Sequence, residues 1–141
     1  MMFPSELISM TVQLLLLEQK IIFVSNKTEV LSYVIDLFLV LIYPLNWTGT
    51  CIPILSEELL IYVQSFMPFI MGVKANMIEK ARKLIENSEI IFIFNINNKS
   101  LELSNKPNKK LDRKSLNKIL NNSLISDDYD NNFIKELRKL K

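Results

Sequence analysis

The chain has 141 residues, nearly half of them apolar, with two glycines, one cysteine, no histidine and a net charge of +2. That suits one globular domain, or part of one, with a sizeable core. The missing histidine excludes His-based triads and HExxH sites, and the lone Cys51 excludes an internal disulfide and a CxxC site, so a cytosolic setting is the default.

Residues 5–17 read as a first helix, with Ser5 as N-cap and Glu6 at the positive end of the helix dipole. Leu7, Met10, Leu14 and Leu17 share one face. Glu18-Gln19-Lys20 marks the exit. Ile21-Ile22-Phe23-Val24 is apolar, largely β-branched and too short for an ordinary helix, so it fits a strand covered on both faces. Asn26-Lys27-Thr28-Glu29 has the pattern of a capping box, with Asn26 as cap. The second helix follows over residues 28–43 and ends at Pro44. It is apolar nearly all round except at Ser32 and Asp36, which predicts burial on most faces. Its stretch 30–43 is the most lipid-like in the chain. It falls short of the roughly 20 apolar residues of a membrane span and carries Asp36 in its middle, so a core helix is the better reading. The start of the chain lacks the basic region of a secretory signal.

Residues 44–50 form a loop around Trp47, and 51–55 a second short strand. Pro53 would cost a ladder hydrogen bond in a central strand, so this one belongs at an edge or carries a bulge. Ser56 reads as the cap of a third helix, with Glu57 and Glu58 in its first turn and Leu59, Leu60 and Val63 inward. Residues 68–73 are a third strand, with Gly72 near its end. Asn76 to Glu79 repeats the capping-box pattern and opens a fourth helix, with Ile78, Ala81 and Ile85 inward. Residues 90–96 are a fourth strand; Asn97-Asn98-Lys99 turns the chain back into a fifth over 100–103.

Composition then shifts. Nearly all the lysines and all the arginines lie beyond residue 73, which reads as a core-rich first half and a solvated second half. A lysine-rich connector surrounds Pro107. One helix starts near Asp112, with Leu116, Ile119 and Leu120 inward, and another near Asp130, with Phe133, Leu137 and Leu140 on one stripe. Alternating strands and helices argue an α/β fold: a three-layer, mostly parallel, doubly wound sheet of Rossmann or flavodoxin type flanked by helices, with a helical C-terminal extension. The expected division is 1–104 for the α/β module and 105–141 for connector and helices.

Ligands on such sheets sit at the carboxyl ends of the strands. Here those ends are residues 25–27, Ser56, 72–74 and 95–97. The loop after the first strand is Ser-Asn-Lys-Thr, without glycine, and neither GxGxxG nor GxxxxGK[ST] occurs anywhere. A backbone without glycine does not easily approach a pyrophosphate, so no nucleotide site is expected, and no cofactor, metal or nucleic acid. A small-molecule α/β enzyme is thereby the weakest reading. Glu57 and Glu58 suit a helix N-terminus better than a catalytic pair. Asp127, Asp128 and Asp130 lack the glycine and terminal glutamate of a calcium loop. Cys51 reads as a packed strand residue. Trp47 is either a buried plug or a contact anchor, since tryptophan serves as both.

The blocks Leu-Leu-Leu-Glu-x-Lys-Ile-Ile-Phe-Val-Ser, Leu-Ile-Tyr-Pro-Leu-x-Trp, Ile-Pro-Ile-Leu and Pro-Phe-Ile-Met-Gly-Val follow in one order. In order and spacing they resemble the central (cDENN) module of the DENN domain family. Ile-Ile-Phe-Ile-Phe-Asn-Ile-Asn-Asn resembles its fourth strand and turn, and the resemblance covers roughly residues 3–120.

It implies a guanine-nucleotide exchange factor for Rab-type small GTPases in membrane traffic, peripheral on vesicle membranes. The complete domain pairs this module with an upstream longin-like lobe and a downstream helical one, so a further DENN lobe, in cis or in trans, is an implied partner. The C-terminal helices are read as the start of the downstream module. The implied mechanism is differential binding of GTPase switch regions, with no catalytic side chain. The expected partner contacts, chosen from loop position, are Asn26, Lys27, Trp47, Thr48, Asn95 and Asn97. The pattern departs from the family at Leu45, where the family commonly has Pro-Phe before its tryptophan, at Leu55-Ser56, where it usually has Leu-Pro, and at Asn95-Ile96-Asn97, where it tends to have Asp-Leu-Asp. The last departure removes two charges and leaves a second reading open: a DENN-like scaffold or GTPase-binding module without exchange activity.

Overall fold

The computed structural model describes residues 3–85, 89–106 and 109–125. The chain divides into two compact units between Lys110 and Leu111. In order, the first unit holds α1 (Ser5–Leu16), β1 (Ile21–Ser25), α2 (Thr28–Leu41), β2 (Thr50–Ile52) and a 3-10 helix (Glu57–Gln64). Then come β3 (Phe69–Lys74), a 3-10 turn (Ala75–Met77) running into α3 (Ile78–Leu84), β4 (Phe92–Asn95) and β5 (Ser100–Leu103).

The five strands form one sheet in the order β2-β3-β1-β4-β5. β1 is parallel to both neighbours, β2 is parallel to β3, and β5 alone is antiparallel. The fold is therefore the α/β, mostly parallel sheet that the sequence predicts. β1 is central because it can be: every one of its residues is buried, and an apolar run without alternation is stable only where both faces are covered.

The two faces carry different cores. On one, Phe23, Phe38 of α2 and Phe94 cluster, with ring centroids 5.2–5.6 Å apart. Such pairs contribute about 0.5–1.5 kcal/mol each beyond their burial. On the other, Ile22, Val24, Met71, Val73 and Ile93 pack with Leu60 and Val63 of the 3-10 helix and Ala81 of α3. Register puts alternate residues on opposite faces, so Ile22 pairs with Met71 while Phe23 pairs with Gly72.

Helix starts and one helix environment differ from expectation. α1 is capped at Pro4, not Ser5, and α2 at Lys27, not Asn26, with no side-chain cap in either case. The buried Ser25 Oγ accepts the Lys27 N–H at 3.2 Å, which sets the entry into α2 in place of a capping box. Asn76 caps nothing, because Ala75–Met77 first makes a 3-10 turn and α3 begins only at Ile78. Residues 57–64 form a 3-10 helix. Its buried residues, Leu60 and Val63, are three apart, and such residues eclipse in a 3-10 helix and share a face. Finally, α2 is not buried on most faces. Leu31, Val34, Ile35 and Phe38 are buried, but Tyr33, Leu37, Val40 and Leu41 are exposed.

In the second unit, α4 (Arg113–Ile125) is preceded by Asp112. The Asp112 Oδ1 accepts the Ser115 N–H at 2.7 Å, the side-chain cap that a helix start calls for. The expected helix from Asp130 lies outside the described residues.

Candidate functional site

The carboxyl ends of β1 and β4 bring four of the expected contacts together. Val24 pairs with Asn95 across the two strands, and the Ile96 N–H donates to the Val24 carbonyl at 2.9 Å, tying the end of β4 to β1. Asn26 and Lys27 follow β1 directly and are exposed. Asn97 is exposed in the turn from β4 to β5, while Asn95 is half-buried and structural. Its Oδ1 accepts the Asn98 N–H at 3.1 Å. Lys99, at φ 53°, takes the left-handed conformation that closes this turn.

Lys74 joins this end and is absent from the expected contacts. It is exposed and pairs in register with Ser25. Its signal was its place at the end of a strand whose neighbour was unknown; only the strand order sets it beside β1. Lys27, Lys74 and Lys99 form no ion pair among the described residues. The rim they make with Asn26 and Asn97 is cationic and rich in amides. Its ammonium and amide groups are hydrogen-bond donors, and the amide carbonyls are acceptors.

Trp47 and Thr48 lie at the opposite end. They precede β2, and β2 runs parallel to β3 and so to β1. The height of β1 separates them from Asn26 and Asn97, about 15 Å for such a strand. Trp47 is half-buried. Its Nε1–H donates to the Thr50 carbonyl at 3.1 Å. Its ring covers Gly49, where a Cβ would stand 3.0 Å from the indole Cζ2 and 2.5 Å from the Pro68 carbonyl oxygen. Trp47 is thus both a plug and an exposed edge. Beside it a cavity of about 130 Å³ opens between Leu15, Ile42, Leu45, Trp47 and Thr48. The expected contacts therefore form two sets, one at each end of the sheet.

Cys51 is half-buried, and its burial together with the Asp36 carboxylate pushes its thiol above the ordinary range. That keeps it a protonated, weakly reactive packing residue. Among the described residues no three His, Cys, Asp or Glu side chains converge as metal ligands. No helix of the described residues is long and apolar enough to cross a membrane.

Comparison with known proteins decides the family. The model of the DENN (AEX-3) domain matches residues 2–99. The chain belongs to the DENN family. It is 31% identical over 91 residues to DENN domain-containing protein 3 of Mus musculus, covering 64% of this chain and 7% of that protein. It is 32% identical over 100 residues to DENN domain-containing protein 2A of Mus musculus, covering 71% of this chain and 10% of that one. Against DENN domain-containing protein 1B of Homo sapiens the identity is 29% over 85 residues, with coverages of 60% and 11%. The chain thus spans about a tenth or less of the length of the DENN relatives it matches.

Proposed function

We propose that this chain is the central module of a DENN-type exchange factor for a Rab-type small GTPase in membrane traffic, peripheral on vesicle membranes. The observation that supports it is the rim at the carboxyl ends of the paired strands β1 and β4, where Asn26, Lys27 and Asn97 stand exposed in the segments that leave those strands. A rigid platform of polar groups suits exchange, which needs a surface that binds the nucleotide-free GTPase more tightly than the loaded one. Contact with the switch regions then displaces them from Mg²⁺ and nucleotide and speeds GDP release. No side chain of the module takes part covalently. Asn95 acts by holding the turn that presents Asn97. A second DENN lobe, in cis or in trans, completes the surface, and Trp47 and Thr48 contact the partner from the other end of the sheet.

The test is release of a fluorescent guanine nucleotide from a panel of Rab GTPases, with the complete parent chain as catalyst. Acceleration on at least one supports the reading; none on any sinks it. The scaffold reading is favoured by one observation, the uncharged Asn95-Ile96-Asn97 where the family tends to have two aspartates. Equal retention of loaded and nucleotide-free GTPase in a pull-down would select it.

A further inference from the structure

α2 buries one side and leaves the other bare. Tyr33, Leu37 and Val40 are 67%, 39% and 69% exposed. Glu29, Tyr33, Asp36 and Val40 follow at spacings of four, three and four, which sets them in one seam along the outer side. An exposed apolar run on a surface helix marks a contact site.

Charge indicates what covers it. Glu29 and Asp36 are the only charged residues of α2. Both are exposed, and neither has an ion pair among the described residues. The last turn of α2, the negative end of its dipole, carries no basic side chain. The seam is therefore apolar and wholly anionic. A second copy suits it poorly. A parallel α2 would set Glu29 against Glu29, and an antiparallel one centred on the helix would bring the two Asp36 carboxylates within about one turn of each other. An anionic lipid surface is repelled by the same charges.

We propose that the outer face of α2 is the seat of a cationic amphipathic helix from another polypeptide. Its Lys or Arg side chains meet Glu29 and Asp36, and its apolar side chains pack on Tyr33, Leu37 and Val40. The inference is independent of the exchange reading, since none of the residues proposed to contact the GTPase lies on this face.

The probe is a synthetic leucine–lysine peptide of about three heptads, long enough to be helical when bound. A leucine–glutamate peptide of equal length is the control. Binding is read by fluorescence anisotropy against the full 141-residue chain. The lysine peptide is expected to bind saturably. Asp36→Lys and Val40→Asp each weaken it about tenfold, equivalent to about 1.4 kcal/mol. Glu29→Lys with Asp36→Lys switches the preference to the glutamate peptide. These positions are exposed, and unchanged circular dichroism and melting temperature establish that the variants fold. Failure of the lysine peptide to bind, or binding indifferent to Val40→Asp and Asp36→Lys, overturns the proposal. So does self-association in sedimentation that Val40→Asp abolishes, which assigns the face to a second copy. Vesicle binding (phosphatidylcholine with phosphatidylserine) that Val40→Asp abolishes also overturns it, in favour of lipid.

Discussion

The carbonyl oxygen of Pro53 occupies the place where a side chain on Gly72 would begin: a Cβ built there would lie 1.8 Å from it. The Leu55 N–H also donates to the Gly72 carbonyl at 2.8 Å. The chain leaves β2 at Pro53 by crossing closely over β3, and glycine is what β3 needs at that point. Gly72→Ala forces backbone to move against backbone. It should cost about 2–4 kcal/mol, seen as a lower urea midpoint at unchanged slope.

Arg82 fastens α3 to the far edge of the sheet. Its guanidinium donates to the Glu102 Oε2 at 3.2 Å and to the Ser104 carbonyl at 3.0 Å. Glu102 is almost wholly buried, at 5% exposure. Arg82→Ala removes the guanidinium's bonds to the Glu102 carboxylate and the Ser104 carbonyl, and should cost about 1.5–3 kcal/mol in urea denaturation. Arg82→Lys keeps the charge but not the fork of donors, and should fall between that variant and the parent.

Asn95 holds its turn through a side-chain bond, accepting the Asn98 N–H. Asn95→Ala should lower stability by about 1 kcal/mol. Asn95→Asp keeps an acceptor in place and should leave the melting temperature within a degree or two of the parent. That variant introduces one of the charges that the resemblance leads one to expect at this turn, without disturbing the fold it is read on.

The Asp112 carboxyl is held below the ordinary carboxylate range by the backbone and side chain of Ser115, most strongly by the backbone bond. A depressed folded value means that the cap contributes fully above the ordinary carboxylate pKa, about 3.9. Its contribution is lost as pH falls through the folded value. Carbon-detected NMR titration should place the Asp112 midpoint below that of a free aspartate. Asp112→Ala should remove the acid-dependent part of α4 helicity.

The strands were legible because they are short apolar runs bounded by polar turns. Ile21–Ser25, Phe69–Lys74 and Phe92–Asn95 fall where those runs do; the strand expected over 51–55 is an edge strand, but it spans Thr50–Ile52, so Pro53 follows it and does not lie within it. Capping was less legible. Ser25, buried in β1, accepts the Lys27 N–H at the entry to α2, where the sequence points to Asn26 as cap, and only the fold decides which of two neighbouring polar side chains points inward. The outer seam of α2 was hidden for another reason. Composition reads Tyr33, Leu37 and Val40 as core, and nothing local says that this unit covers one side of the helix alone. Loop position in the sequence does not say which loops are neighbours in space. Strand order then set Asn26 and Lys27 beside Asn97, added Lys74, and placed Trp47 at the opposite end.

The most direct measurement would use the complete parent chain with any Rab GTPase whose nucleotide release it is found to accelerate. Lys27→Glu with Asn97→Ala alters exposed side chains only. The expected result is a fall of about tenfold or more in kcat/KM for nucleotide release, equivalent to at least about 1.4 kcal/mol of transition-state stabilisation, with the melting temperature unchanged. Release at the parental rate by that variant would contradict the placing of the GTPase contact at the carboxyl ends of β1 and β4.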